Sequence, residues 1–358
     1  MPDRIEAKAA LDKVIEKAWV HFYKPIQIAE VLYRDRVFGD IELSKLEDYR
    51  VKSRKWRDEV CKPLLHSVSI SSARYQDDVF NENAVPPELL YELGRENRRT
   101  GGAVEAYIYD RFISKHTQMA SALDYCLETG KADFSVKKFI DSFRDSPGLR
   151  RSIDKIYEIV VYALFSTLAE AMELRVELSV GAAGLDMIAE FPDFTKKVMC
   201  LDFSSPRFSG EGRVYRVGVT NAADRGLDMY SNWGPAIQIK HLTLDEELAR
   251  SIVDSVSSDK VIIVVRDAER GVILSLLTQI GWKSHIQSVI TESELVEWYE
   301  KALHGKYSDI LGNKLLYCLC EEITEEFPSV DSIPDILKKR HYEKIKPDEF
   351  WLAVQEKS

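Results

Sequence analysis

Residues 260–267, KVIIVVRD, constrain this chain more than any other stretch. Val261 to Val265 are five consecutive apolar, β-branched residues. Successive side chains of a strand point to opposite faces, so such a run has no face to offer water. It belongs inside a sheet covered on both sides, the setting of parallel strands joined by helices.

The flanking residues supply those helices. LDEELARSIVDSVSS precedes the run and opens on Thr243 with Glu246 three residues on, a capping-box pattern. ERGVILSLLTQIG follows and is closed by Gly281. HIQSVIT reads as a short strand, and Thr291 with Glu294 repeats the capping box before ELVEWYEKAL. Upstream, RVYRVGVTN, GLDMYSN and AIQIKHL read as three successive strands with tight turns, one at Trp233-Gly234-Pro235. Before them come a long apolar helix, SIDKIYEIVVYALFSTLAEAMEL, a strand candidate, RVELSV, and a variable stretch to about residue 212. This order predicts an α/β fold, a mixed sheet flanked by helices.

The first 145 residues read differently. EAKAALDKVIEKAWVHF, PIQIAEVLYRDR and PPELLYELGRENRR space their apolar residues by three or four, as helices do. LLHSVSISS, residues 64–72, is a short strand candidate. Asp145-Ser146-Pro147-Gly148 is a strong break. The expected organisation is a mainly helical region over 1–147, an α/β core over 148–305 and a helical C-terminal extension over 306–358.

The chain has 358 residues, 45% of them hydrophobic, enough for a sizeable core. No run approaches the ~18 apolar residues of a membrane span, and the N-terminus has no apolar signal core. The five cysteines are scattered and form no CxxC pair, which argues against a disulfide framework or a structural zinc. A cytoplasmic protein with reduced thiols is expected. Nucleotide-binding GxxxxGK[ST] and hydrolase G-x-S-x-G motifs are absent.

The chemistry is concentrated in TNAADRGLDMYSNWGPAIQIKH, residues 220–241. Residues i and i+2 of a strand share a face, so Gln238 and Lys240 project together while Ile237 and Ile239 turn to the core. A hairpin around Trp233-Gly234-Pro235 brings Asp228 beside them. An acid, an amide and an ammonium in one place suit phosphodiester hydrolysis. Mg²⁺ takes one or two carboxylates plus waters and phosphate oxygens. Asp228 would be the central ligand, helped by the Gln238 amide oxygen and the Ile239 backbone carbonyl, with Lys240 at the attacking water. Glu158, in the apolar segment KIYEIVVYAL, is the candidate second acid. The alternative reading puts it on the solvent face of an amphipathic helix. A surface salt bridge or strand-edge lysine would also explain Lys240. His241 is expected on the opposite face, as a structural residue.

RVYRVGVTNAADRGLDMYSNWGPAIQIKHL, with KVIIVVRDAE, LTQIGW and ITESELVEWYE, resembles the HaeII family of type II restriction endonucleases. The resemblance covers roughly residues 150–325. It implies a PD-(D/E)XK nuclease fold and Mg²⁺-dependent cleavage of double-stranded DNA at a short palindrome, RGCGCY in the family's namesake. Asp228, Gln238 and Lys240 fall on the class motif, and Glu158 on the helix before its sheet. Gln238 departs from the more common Glu, which leaves open a catalytically weak or inactive DNA-binding protein. A palindromic target implies a homodimer, and a restriction-modification system implies a cognate DNA methyltransferase.

Candidate DNA contacts lie in polar segments near the catalytic strands: Arg207, Arg213, Arg216, Asn221, Asp224 and Arg225. Asn221 and Arg225 fit equally a role in fixing the turn before Asp228. In the helical region, YRVKSRKWR (49–57) and Arg95, Arg98 and Arg99 are candidates for phosphate contact, or solvated helix faces. The net charge of −10 opposes long-range attraction to DNA but does not describe the local surface.

Overall fold

The computed structural model of the chain describes residues 3–19, 21–146, 149–217, 227–245, 247–248, 260–267, 286–327, 335–345 and 349–352. The chain divides into two compact units. One comprises Met1–Glu128, Lys138–Ile153 and Ile323–Ser358, and the other Thr129–Lys137 and Asp154–Glu322.

The first unit is helical, as the three- and four-residue spacing predicts. Its main helices are Arg4–Lys17, Tyr23–Phe38, Leu46–Leu65, Pro87–Arg99 and Ala103–Glu128. They bury Leu11, Ile26, Ile28, Tyr49, Leu90, Ile108 and Phe112 in one core, with Trp351 from the C-terminal segment among them. Asp3 caps the first helix by accepting from the Ile5 and Glu6 amides. The strand expected in LLHSVSISS does not form. Leu64 and Leu65 complete a helix, His66 takes a left-handed backbone conformation, and no described segment pairs with residues 67–72. A strand needs a ladder partner, and the described residues offer none.

The C-terminal segment joins this unit through buried charge. Arg340 makes two hydrogen bonds to the Glu30 carboxylate, at 2.6 and 2.8 Å, and stacks over the Tyr33 ring. Tyr109 also donates to Glu30. Beside them, Glu105 accepts from Arg36, Asn97 and Tyr342. Carboxylates this deep persist only where partners replace the lost water.

The second unit holds the mixed sheet, with helices packed on it. Five strands lie in the order β3 (Val214–Arg216), β4 (Met229–Ser231), β5 (Ala236–Lys240), β6 (Val261–Val265) and β7 (Ile286–Thr291). β3, β4 and β5 are antiparallel, whereas β5, β6 and β7 run parallel. The all-apolar run is thus an interior parallel strand, with Val261 and Ile263 to Val265 buried. Of the helices expected on either side of it, only the start of the first is described: Glu247 and Leu248 are helical, and Asp245 accepts from the Leu248 amide at 2.8 Å, while Glu246, Gly281 and the rest fall outside the described residues. Thr291 and Glu294 form the predicted reciprocal cap of the helix Glu292–His304. The apolar helix Ile153–Ala171 is present and buried, and from residue 154 it belongs to this unit. Tyr299 donates to its Val160 carbonyl at 2.8 Å.

A second, two-stranded antiparallel sheet joins β1 (Arg175–Ser179) to β2 (Arg207–Glu211). β1 was legible in RVELSV. β2 was not, because its residues alternate weakly and its partner lies across a long excursion. Among the described residues no helix is long and apolar enough to cross a membrane.

Arg340→Leu should leave Glu30 buried without its main partner. It is expected to cost about 3–5 kcal/mol of stability, measured by urea denaturation followed by circular dichroism.

Candidate active site

The site is built by the hairpin of β4 and β5. Its turn, Ser231 to Pro235, is closed by Gly234, whose φ of +124° suits a residue without a side chain. The Ser231 amide donates to the Pro235 carbonyl at 3.0 Å, and the Gly234 amide to the Ser231 carbonyl at 3.2 Å. The resulting register pairs Met229 with Ile237. Continued by one residue, it sets Asp228 opposite Gln238, and directly opposed residues of an antiparallel pair share a face.

The contacts follow from that register. The Gln238 amide nitrogen donates to Asp228 Oδ2 at 2.7 Å, and the Ile239 backbone N–H donates to the same oxygen at 2.7 Å. Gln238 is only 1% exposed. Its Oε1 is buried and has no hydrogen-bond partner among the described residues. Leaving such an oxygen unpaired costs about 1–3 kcal/mol, so a partner for it is a physical requirement of the site.

Glu158 comes from the helix Ile153–Ala171 and is 6% exposed, so it does not occupy a solvent face. Its partner is Lys155, one helical turn earlier, with Nζ 2.5 Å from Oε2. Burial pushes the Glu158 carboxyl up to about 7, against the opposing pull of Lys155, and the neighbouring Asp228 adds to the rise. Burial also raises Asp228. The Ile239 N–H, Lys240 and Lys155 oppose it. Two acids coupled in this way accept a cation more readily than either would alone.

Two further groups escaped the sequence reading. Asp154 lies four residues before Glu158, on the same helical face, and is hydrogen-bonded to His241 Nδ1. Burial works to raise its pKa, but His241, Lys240 and Lys155 together outweigh it and the net shift is downward. Lys155 balances both carboxylates. The i, i+4 pairing of Asp154 with Glu158 was visible in the sequence. The approach of β5 to this helix, which gives the pairing meaning, was not. His241, expected to be structural, meets the rim of the site through Asp154.

The donors fit a small hard cation. Two carboxylates and an amide oxygen without a partner are oxygen ligands of the kind Mg²⁺ prefers, few enough to leave positions for water and phosphate. Among the described residues no three His, Cys, Asp or Glu side chains form a metal-binding group, so a third protein donor would have to be of another kind, such as the Gln238 amide oxygen.

The candidate DNA contacts are distributed unevenly. Arg216 lies on β3, pairs with Glu322 at 3.0 Å and acts on the Glu158 carboxylate. Arg213 pairs with Glu211 at the exposed end of β2. Arg207 also lies on β2, in the two-stranded sheet and not in the one that carries Asp228. Asn221, Asp224 and Arg225 lie outside the described residues. In the helical unit Arg98 is held by Asp35 and Arg99 by Glu96. Within residues 49–57, Arg57 is no phosphate contact: it is buried and donates to Gln27, Gln76 and Asp58.

Comparison with known proteins decides the relationship. The family model described as HaeII restriction endonuclease matches residues 7–342. The chain belongs to the HaeII restriction endonuclease family. It is 52% identical to the type II restriction enzyme HaeII of Haemophilus aegyptius over 333 residues, 93% of this chain and 95% of that one. It is 48% identical to the type II restriction enzyme NgoBI of Neisseria gonorrhoeae over 332 residues, 93% of this chain and 94% of that one. No solved structure matches it. The chain is a type II restriction endonuclease, and the two long alignments extend that relationship well beyond the segment around Asp228.

The raised carboxyl makes a prediction about stability without divalent ions. Glu158 holds its proton to about pH 7 in the folded chain, against an ordinary value of 4.5. The folded state therefore binds more protons, and its stability falls as pH rises between those values. In chelator, denaturation midpoints should show a loss of about 2–3 kcal/mol between pH 5 and pH 8. Glu158→Gln should remove most of that slope.

Proposed function

We propose that this chain is a Mg²⁺-dependent nuclease on a PD-(D/E)XK fold that cuts both strands of double-stranded DNA at a short palindrome. The observation that carries this reading is the buried, unpartnered Oε1 of Gln238 beside a carboxylate already fixed by two N–H groups. Family membership supports it, and RGCGCY is the proposed target. The products are 5′-phosphate and 3′-hydroxyl ends. A homodimer would cut each strand once, and a cognate methyltransferase would protect the host sites.

Each residue has a definable task. Asp228, Gln238 Oε1, the Ile239 carbonyl and Glu158 would hold Mg²⁺, which when bound supplies positive charge to phosphate oxygens and acidifies a water. The Ile239 N–H and the Gln238 amide N–H fix Asp228 Oδ2 in one orientation. Lys240, on the Gln238 face of β5, holds the attacking water and faces the charge that develops on the phosphate. Lys155 stabilises the Glu158 carboxylate before a cation arrives. Arg216, Arg207, Arg213, Arg98 and Arg99 are proposed to meet DNA phosphates or bases. All but Arg207 would have to trade a carboxylate partner for DNA. Asn221, Asp224 and Arg225 complete the proposed DNA-contacting set.

A reading in which the chain binds DNA but no longer cuts it draws on one observation, the amide at 238 in place of a second acid. Incubating a plasmid that carries RGCGCY sites with the protein and Mg²⁺ separates the two. Discrete fragments ending at those sites support the nuclease, while a retarded but intact plasmid supports the binding protein.

Asp228→Ala and Lys240→Ala should each lower cleavage at least 1,000-fold, or about 4 kcal/mol of transition-state stabilisation, while gel-shift affinity for the site in Ca²⁺ changes little. Cutting by either variant at the unmodified rate would remove that residue from the site. Gln238→Glu should retain at least partial cleavage and bind Mg²⁺ more tightly, because it adds a charged oxygen ligand, as titration calorimetry would show.

A further inference from the structure

Lys155 stands among the acids of the candidate site. Its side chain is 11% exposed and that of Glu158 is 8% exposed. The Lys155 ammonium donates to Glu158 Oε2 at 2.5 Å. The same positive charge acts on Asp154 and on Asp228. Both members of the pair lie on the helix Ile153–Ala171, one turn apart, so that helix alone brings them together.

An ammonium and a divalent ion compete for that carboxylate. Lys155 Nζ already uses Glu158 Oε2, and Mg²⁺ needs its oxygen ligands at about 2.0–2.1 Å. Positive charges held a few ångströms apart on one buried carboxylate repel strongly. One of them must give way. Lysine suits the part, because its charge rides on a flexible four-carbon stem and is not fixed by a planar fork.

Gln238 shows which of the two the site favours. Its buried Oε1 has no hydrogen-bond partner among the described residues, although an ammonium carries three donors. Lys155 therefore satisfies the carboxylate and leaves the amide oxygen wanting. An ion that bound Glu158, Asp228 and Gln238 together would satisfy all three.

We propose that Lys155 is a built-in competitor for the divalent ion, holding Glu158 until the ion takes that carboxylate and the ammonium swings off it. The inference rests on the reading of Asp228, Gln238 and Glu158 as a metal site, and it names the residue that sets how tightly the site binds. Lys155 keeps the neighbouring acids from repelling one another, and the same contact weakens their hold on the ion.

Ca²⁺ serves as the probe, with the full chain and without DNA. Reductive methylation by formaldehyde and cyanoborohydride reports whether an amine is accessible. Mass spectrometry should show Lys155 modified at least about fivefold faster in saturating Ca²⁺ than in chelator. Lys197, which is exposed, should react equally in both. Lys155→Met should bind Ca²⁺ about tenfold tighter by titration calorimetry at about pH 9, where protons compete least for Glu158. Lys155→Arg, which keeps the charge, should bind no tighter than the wild type. The methylation experiment uses the wild-type chain and decides the matter even if Lys155→Met does not fold. Unchanged protection of Lys155 with Ca²⁺ bound, or a Lys155→Met chain that binds no tighter, would each overturn the proposal and leave the metal-site reading intact. A wild-type chain and a folded Lys155→Met chain that both bind no Ca²⁺ would remove the proposal and the metal-site reading together.

Discussion

The register of one short hairpin governs the candidate site. Gly234 allows the turn, the turn sets Met229 against Ile237, and that pairing places Asp228 where Gln238 and the Ile239 amide reach the same oxygen. A slip of one residue would turn Gln238 and Lys240 into the core and bring Ile237 and Ile239 out. The slip is blocked from the other side, because β5 is paired in parallel along its whole length with β6. The run Val261 to Val265 therefore does more than fill the core. It locks the strand that carries the amide and the ammonium.

The second constraint is charge. Glu158 is buried, Asp154 lies at the exposed rim, and each of Asp154, Glu158 and Asp228 is coupled to another by electrostatics. Such a group of acids is stable only if neighbours or protons compensate. Lys155 and His241 do so directly, and Lys240 and Arg216 at longer range. The overall charge of −10 thus says little about the local field at these carboxylates, beside which Lys155, Lys240 and Arg216 lie.

Much of this was legible in the sequence because it was local. Periodicity of two revealed β4 and β5, a five-residue apolar run revealed β6, and the spacing of Thr291 and Glu294 revealed a helix start. Glu158 stood out because a carboxylate in an apolar helix needs a reason. What stayed hidden depends on contacts distant in sequence. The Arg340 to Glu30 pair spans 310 positions and draws the C-terminal segment into the helical unit. β2 is recognisable only once β1 lies beside it. Arg57 looked like part of a basic surface, yet its partners Gln27 and Gln76 bury it. Residues 64–72 had strand composition without a strand to join, so composition misled.

The amide at position 238 has a physical rationale that a carboxylate would lack. A Glu there would put a third acid against Asp228 and Glu158 in a buried setting, and none of the three could donate to another while ionised. Gln238 instead uses one end to hold Asp228 and leaves the other as a neutral oxygen. The cation-free site is then less strained by repulsion, and Asp228 is oriented before any ion arrives. The same exchange removes one negative charge from the attraction for a divalent ion. On the proposed reading, a site built this way would trade affinity for preorganisation and would rely on phosphate and water oxygens to complete what its own side chains leave open.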